Sequence, residues 1–377
     1  MRASVAAPDR PISVLHLTAG SEAGGISRYL FNLCRAMHDG GHHVVVAGQR
    51  GAWQNLFDDA PWTWIDVPLQ RGVLALRRSA AHLSEVLSRH RVDVVHAHYR
   101  KSALVGRSVA RRGSLPLLFT LHLTGIPMRG PVRWFSEFGD HAHAPSQMAR
   151  QWLIDEARVD PQRVTVIPHG VAPQDFPVAD ADQQRIARTT LGLPLDGVVA
   201  AFVGRFDEPK NEGWMLDLAA ASRRSLPSLR VVLMGEGPHE QGLRRRIRSE
   251  GLCDRVDLLP FGDPLPLYHA CDAVLLPSSQ EGFSLVNSEA MCAGRPVLRT
   301  RTAGMQEHIV EDVTGRSVPI DRDAFIEGSM RFLRDREALC RMGSAAASHV
   351  RKHLTFEQQL GETLALYRRL IGTGTAP

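Results

Sequence analysis

AVLLPSSQEGFSLVNSEAMCAGRPVL, residues 273–298, decides the fold. An apolar run of buried-strand type passes through a Pro-Ser loop into a stretch with helical spacing. Gly294 and Pro296 stop that stretch just as a second apolar run, PVLRT (296–300), begins. Strand, helix and strand this close together make a βαβ unit of a parallel sheet. Ser284 is placed to N-cap a helix from Leu285 to about Ala293, leaving the amides of Phe283, Ser284 and Leu285 pointing out of the helix end. Such an end carries partial positive charge and suits phosphate. Glu281 and Glu289 bracket it. Glu289 lies roughly 7–8 Å along the axis from Ser284 at 1.5 Å per residue, while Glu281 stays in the loop. One carboxylate can then meet hydroxyls on one side of a diphosphate and the other those on the far side, which is the order sugar, diphosphate, ribose. Two glutamates at this spacing alone would be ordinary solvated side chains, and it is the strand–loop–helix setting that gives them meaning.

The same alternation extends in both directions. In the first half, strands are predicted at 12–17, 43–48, 63–68, 92–98, 115–122, 141–146 and 163–168; a second series follows at 198–204, 229–235, 256–261, 273–279 and 296–300. The expected class is α/β, with two facing, doubly wound Rossmann-like domains and a cleft between them. From about Val171 to Leu193 the pattern dissolves, and Pro and Asp are expected to break any regular element. The expected division is a first Rossmann-like domain (1–176), a linker (177–195), a second Rossmann-like domain (196–355) and a C-terminal helix (356–377) that crosses back to the first domain. In open α/β sheets ligands bind beyond the carboxyl ends of the strands, so the useful residues should lie just after them.

The 377 residues carry 45 basic and 40 acidic side chains, too small an excess to suggest nucleic acid as partner. Basic residues concentrate in RGVLALRRSAAHLSEVLSRHR (71–91) and YRKSALVGRSVARRG (99–113), read as solvated outer helix faces, with a peripheral membrane contact as the rival reading. Five scattered cysteines without a CxxC pair fit a reducing compartment. The N-terminus lacks a secretory apolar core and no run is long enough for a membrane span, so the expected location is cytoplasmic, at most peripheral on the membrane face.

Arg205 and Lys210, in AFVGRFDEPKN (201–211), follow the first strand of the second series, where positive charge can meet a diphosphate. Gly24 and Gly25 open a helix after strand 12–17, where backbone can approach a ligand closely. His122 ends strand 115–122, facing the cleft. Arg129, Arg133 and Trp134, in RGPVRWFS (129–136), are a guess at acceptor contacts. His96/His98 and His141/His143 have zinc-like spacing, but no third ligand is evident and the expectation is no metal. Asp180/Asp182 and Asp321/Asp323 form D-x-D tripeptides that no apolar strand delivers into a cleft.

These residues resemble the GT-B glycosyltransferases of family 4, whose signature is a Glu-x7-Glu element in this setting. The resemblance runs through SEAGGISRYLFNLCRAM, VDVVHAHY, FTLHLTG, APSQMA, VTVIPHGV, AFVGRFDEPKN, LMGEGP, the 273–298 block and EDVTGRSVP. It implies transfer of a hexose-type sugar from a nucleotide-diphosphate sugar to a glycan or lipid-linked acceptor, with retained configuration, no cofactor and no metal. Glu281, His122, Arg205 and Lys210 are then the catalytic residues. Gly24, Gly25, Gly282, Phe283, Ser284, Leu285 and Glu289 hold the donor together with Arg205 and Lys210. Departures are His169-Gly170-Val171-Ala172 where the family usually has Asn-Gly-Val-Asp, and Ala303-Gly304 where it commonly has Gly-Gly. Rival readings are a nucleotide-sugar epimerase or phosphorylase of the same fold and a non-catalytic nucleotide-sugar-binding scaffold.

Overall fold

Each apolar run read as a strand forms one in the computed structural model, which describes residues 10–22, 24–67, 73–128 and 130–373. The first sheet holds β1 (Ser13–Gly20), β2 (His43–Gln49), β3 (Thr63–Asp66), β4 (Val94–Ala97), β5 (Leu117–Thr120), β6 (His141–Ala144) and β7 (Val164–Val166) in the order 3-2-1-4-5-6-7. The second holds β8 (Val198–Val203), β9 (Leu229–Met234), β10 (Val256–Leu259), β11 (Ala273–Leu276), β12 (Val297–Thr300) and β13 (Gly315–Val318) in the order 10-9-8-11-12-13. The pairings are parallel, and helices cover both faces, so β8 and β11 are buried along their whole length. In each sheet the strand order reverses once, between β1 and β4 and between β8 and β11. These two crevices face each other across the cleft.

Two elements differ from the expectation. Strand β13 is absent from the sequence reading because GRSV is a short edge strand whose Arg316 and Ser317 are only half-buried, leaving no apolar run to see. The stretch expected to be irregular contains a helix, Ala181–Thr190, opened by a capping box between Asp180 and Gln183. It packs on the second half through Arg188, whose guanidinium donates to the carbonyl of Ala270 and pairs with Asp272 at 2.7 Å. A largely polar helix with few apolar positions gives little periodic signal, and the flanking prolines hid it.

The last helix, Phe356–Thr373, sets Leu366, Tyr367 and Leu370 into a core cluster with Ile12, Leu30, Leu33 and Val46 of the first half. The chain therefore passes between the halves twice, and the two passages lie side by side. The Val171 amide donates to the Leu354 carbonyl at 3.0 Å, and the Phe356 amide to the Val171 carbonyl at 2.9 Å. Gly170 makes this possible, since a Cβ there would fall 2.2 Å from the Thr355 oxygen.

Candidate active site

The helix Leu285–Cys292 begins as its sequence dictates, with the Ser284 hydroxyl accepting from the Asn287 amide at 3.4 Å. The amides at its start, from Phe283 to Val286, have no intrahelical acceptor, and these residues line a cavity of about 520 Å³ that both crevices border. Gly24, Gly25, His122, Arg205, Lys210, Glu281, Phe283, Ser284, Leu285 and Glu289 all border it. Gly282 does not. It packs against the first half, where a Cβ would lie 2.1 Å from the His122 carbonyl oxygen. The neighbouring carbonyls are held from the same side. The Thr124 hydroxyl donates to the Glu281 carbonyl at 2.7 Å and the Ser146 hydroxyl to that of Gly282 at 3.4 Å.

The two glutamates sit in opposite electrostatic settings. Burial raises the Glu281 carboxyl, but the Lys210 ammonium at 2.6 Å, with Arg299 behind it, more than offsets this and holds it below the usual carboxylate range. Glu289 is raised by burial, which Arg28 at 3.5 Å and the Tyr268 hydroxyl, donating at 2.9 Å, offset only in part. Arg28 comes from the first half and lies over the Trp53 ring, 5.9 Å from its centroid, so this ion pair bridges the cleft. Arg205 is half-exposed and tied to Asp207 at 2.8 Å. His122 is pushed down to about 3 by burial and is neutral.

Several residues around the cavity escaped the sequence reading. Arg28 follows the Gly-Gly pair by one helical turn, a signal that was available. Tyr29, Trp53 and Tyr99 on the cavity wall, and Tyr268 and Arg299 behind Glu289 and Glu281, carry none, because their places depend on packing between distant segments. His169, seen only as a departure from the usual Asn, is buried against Tyr29 and Phe283 and lines the cavity.

A third histidine does accompany His96 and His98. His16 on β1 brings the three into a buried group whose nitrogens lie within 4.8 Å of one another. The expectation of no third ligand was wrong because β1 and β4 are neighbours in the sheet though far apart in sequence. Their nitrogens are nevertheless engaged. His96 contacts the Tyr367 hydroxyl and Thr120 Oγ1, both at 2.6 Å, and His98 contacts His16 and His122, leaving His16 Nε2 alone without a partner in this group. Asp180 and Asp321 cap helices, while Asp182 and Asp323 pair with Arg185 and Arg322. Trp134 is 82% exposed and, like Arg133, is not part of the cavity wall; Arg129 lies outside the described residues. Among the described residues no helix is long and apolar enough to cross a membrane.

Residues 23–175 match the family described as Glycosyltransferase Family 4, and residues 183–349 match Glycosyl transferases group 1. The D-inositol 3-phosphate glycosyltransferase of Mycobacterium marinum is 31% identical over 82% of this chain and 70% of its own length. The protein of the same name from Salinispora tropica is 32% identical over 73% of this chain and 63% of its own length. Among solved structures, Anabaena HepE in complex with UDP and glucose superposes with a TM-score of 0.81 over 94% of this chain and 99% of its own, at 22% identity. The chain is thus a GT-B member of glycosyltransferase family 4, an enzyme that transfers glycosyl groups.

Proposed function

We propose that the enzyme moves a hexose-type sugar from a nucleotide-diphosphate sugar to a hydroxyl of a glycan or lipid-linked acceptor, with retention of configuration and without a metal. The observation that carries this reading is the cavity's arrangement of an open helix end between two carboxylates, one ionised against Lys210 and one set beside Arg28 and Tyr268. Residues 196–355 hold most of the donor. The diphosphate meets the amides of Phe283, Ser284 and Leu285, Glu289 receives ribose hydroxyls, and Glu281 and His122 receive those of the sugar. As the donor bond breaks, negative charge grows on the leaving diphosphate, and Arg205, Lys210 and the helix amides stabilise it in place of a cation cofactor. The acceptor hydroxyl attacks from the face the diphosphate leaves. Gly24 and Gly25 let the first half close tightly over the donor, excluding water. The name of the D-inositol 3-phosphate glycosyltransferases, to which the chain is similar, is the reason to include a phosphorylated cyclitol among the acceptors to screen. The basic outer helices Val73–Leu87 and Arg100–Gly113, with Arg77, Arg78, Lys101, Arg111 and Arg112 exposed, suit a peripheral contact with an anionic membrane on its cytoplasmic face.

The test is donor turnover with UDP-, GDP- and ADP-sugars in EDTA and in Mg²⁺, with the product anomer read by NMR. Equal rates in EDTA and an unchanged anomer are expected. Loss of transfer in EDTA, or inversion, overturns the reading.

A further inference from the structure

The histidines of VHAHY and of β1 have no part in the reading above. His16 Nδ1 lies 3.0 Å from His98 Nε2, and His98 Nδ1 lies 3.2 Å from His122 Nε2. Three imidazoles thus form one hydrogen-bonded file from the interior of the first sheet to the cavity wall, with His16 and His98 fully enclosed. Burial lowers all three, His16 and His122 to about 3 and His98 well below the ordinary range, so the file is neutral.

A neutral imidazole has one N–H and one lone pair. Each contact holds a single proton, so the three rings must all donate in the same direction. If they donate toward the cavity, His16 Nδ1–H meets His98 Nε2, His98 Nδ1–H meets His122 Nε2, and His122 carries its proton on Nδ1. If they donate inward, His16 is left with an N–H on Nε2. That atom is buried and has no partner, and orphaned buried N–H groups are rarer than orphaned acceptors. Neighbouring groups do not compete for the file. His96 is committed to Tyr367 and Thr120, and His143 to Thr120 and the Ile167 carbonyl.

We infer that His98, backed by His16, is a positioning residue that fixes His122 as the Nδ1–H tautomer and so presents a neutral donor to a ligand oxygen in the cavity. The tautomer follows from the file itself; only its consequence for transfer rests on the reading of His122 as a sugar contact. In that role, an N–H held in one orientation by a buried partner meets the sugar without first reorganising.

Imidazole ¹⁵N–¹H correlation spectra of ¹⁵N-histidine-labelled protein at neutral pH, with His122→Asn to assign the resonance, read the tautomer directly. The expected result is a proton on His122 Nδ1 and a lone pair on Nε2. His98→Leu should turn that signal into a mixture and lower kcat/KM for the nucleotide sugar about tenfold, the value of one hydrogen bond. Binding of the nucleoside diphosphate without the sugar should stay the same. His98→Asn, which offers an amide N–H near the lost Nδ1–H, should recover most of the transfer. A proton on Nε2 in the wild-type protein overturns the inference, as does an unchanged His122 signal in His98→Leu. If the tautomer is as expected and His122→Asn transfers at the wild-type rate, the positioning role fails together with the assignment of His122 to the sugar.

Discussion

Glu281 and Glu289 are the same residue type eight positions apart, yet the fold gives them opposite tendencies. Glu281 faces Lys210 and stays ionised below the usual range, and its contribution to stability is present at neutral pH and lost only as pH falls through that lowered value. Glu281→Gln keeps the shape and removes the charge, and turnover should fall about 10²-fold or more with little change in donor KM, the scale of a lost preorganised electrostatic contact. Near-wild-type kcat in steady-state assays would remove Glu281 from the mechanism. Glu289 works the other way. Its folded form holds a proton more tightly than the unfolded chain does, so stability declines as pH rises from the ordinary carboxylate value through the raised one. Glu289→Gln should therefore raise the melting temperature at pH 7 and leave it unchanged once the carboxyl is protonated, while weakening nucleotide binding about tenfold by calorimetry, the loss of one good hydrogen bond. Both glutamates were legible from their spacing around a helix start. Their partners were not, because Lys210 lies 71 positions from Glu281 and Arg28 lies 261 from Glu289.

At the scale of elements, the strand–loop–helix of 273–298 was readable because its information is local: an apolar run, an N-capping serine and a glycine stop. Gly294 has the left-handed backbone, φ 79°, that such a stop requires. Ser284→Ala removes the cap and should lower stability by about 1 kcal/mol in denaturant unfolding. If Ser284 served the fold alone, donor KM would not move; a rise in KM with the same variant is expected, because the cap also holds the amides proposed to meet the diphosphate. The helix Ala181–Thr190 carries an equally local signal in its Asp180–Gln183 capping box, but with few apolar positions it has little of the periodicity that marks the other helices. Strand β13 had no such signal, since an edge strand of four residues is defined by its pairing with β12.

For the whole molecule, the doubling of the βαβ series pointed to two parallel sheets, and the rule that ligands bind beyond the carboxyl ends of the strands pointed to the cleft between them. What sequence could not supply is how the halves grip each other. Thr124 and Ser146 hold the carbonyls of the Glu281 loop, Arg28 spans to Glu289, and Val171 lies laced to Thr355 at the double passage. Each of these contacts joins residues well over a hundred positions apart. The central claim is that the resulting cavity takes a nucleoside diphosphate without a metal, and thermal unfolding with UDP, GDP and ADP in EDTA tests it most directly. One nucleotide should stabilise the protein by about 2.7 kcal/mol at a hundredfold excess over its Kd, with the effect much reduced in Glu289→Gln. A folded protein that none of the three stabilises, or that responds only when Mg²⁺ is added, would contradict the account.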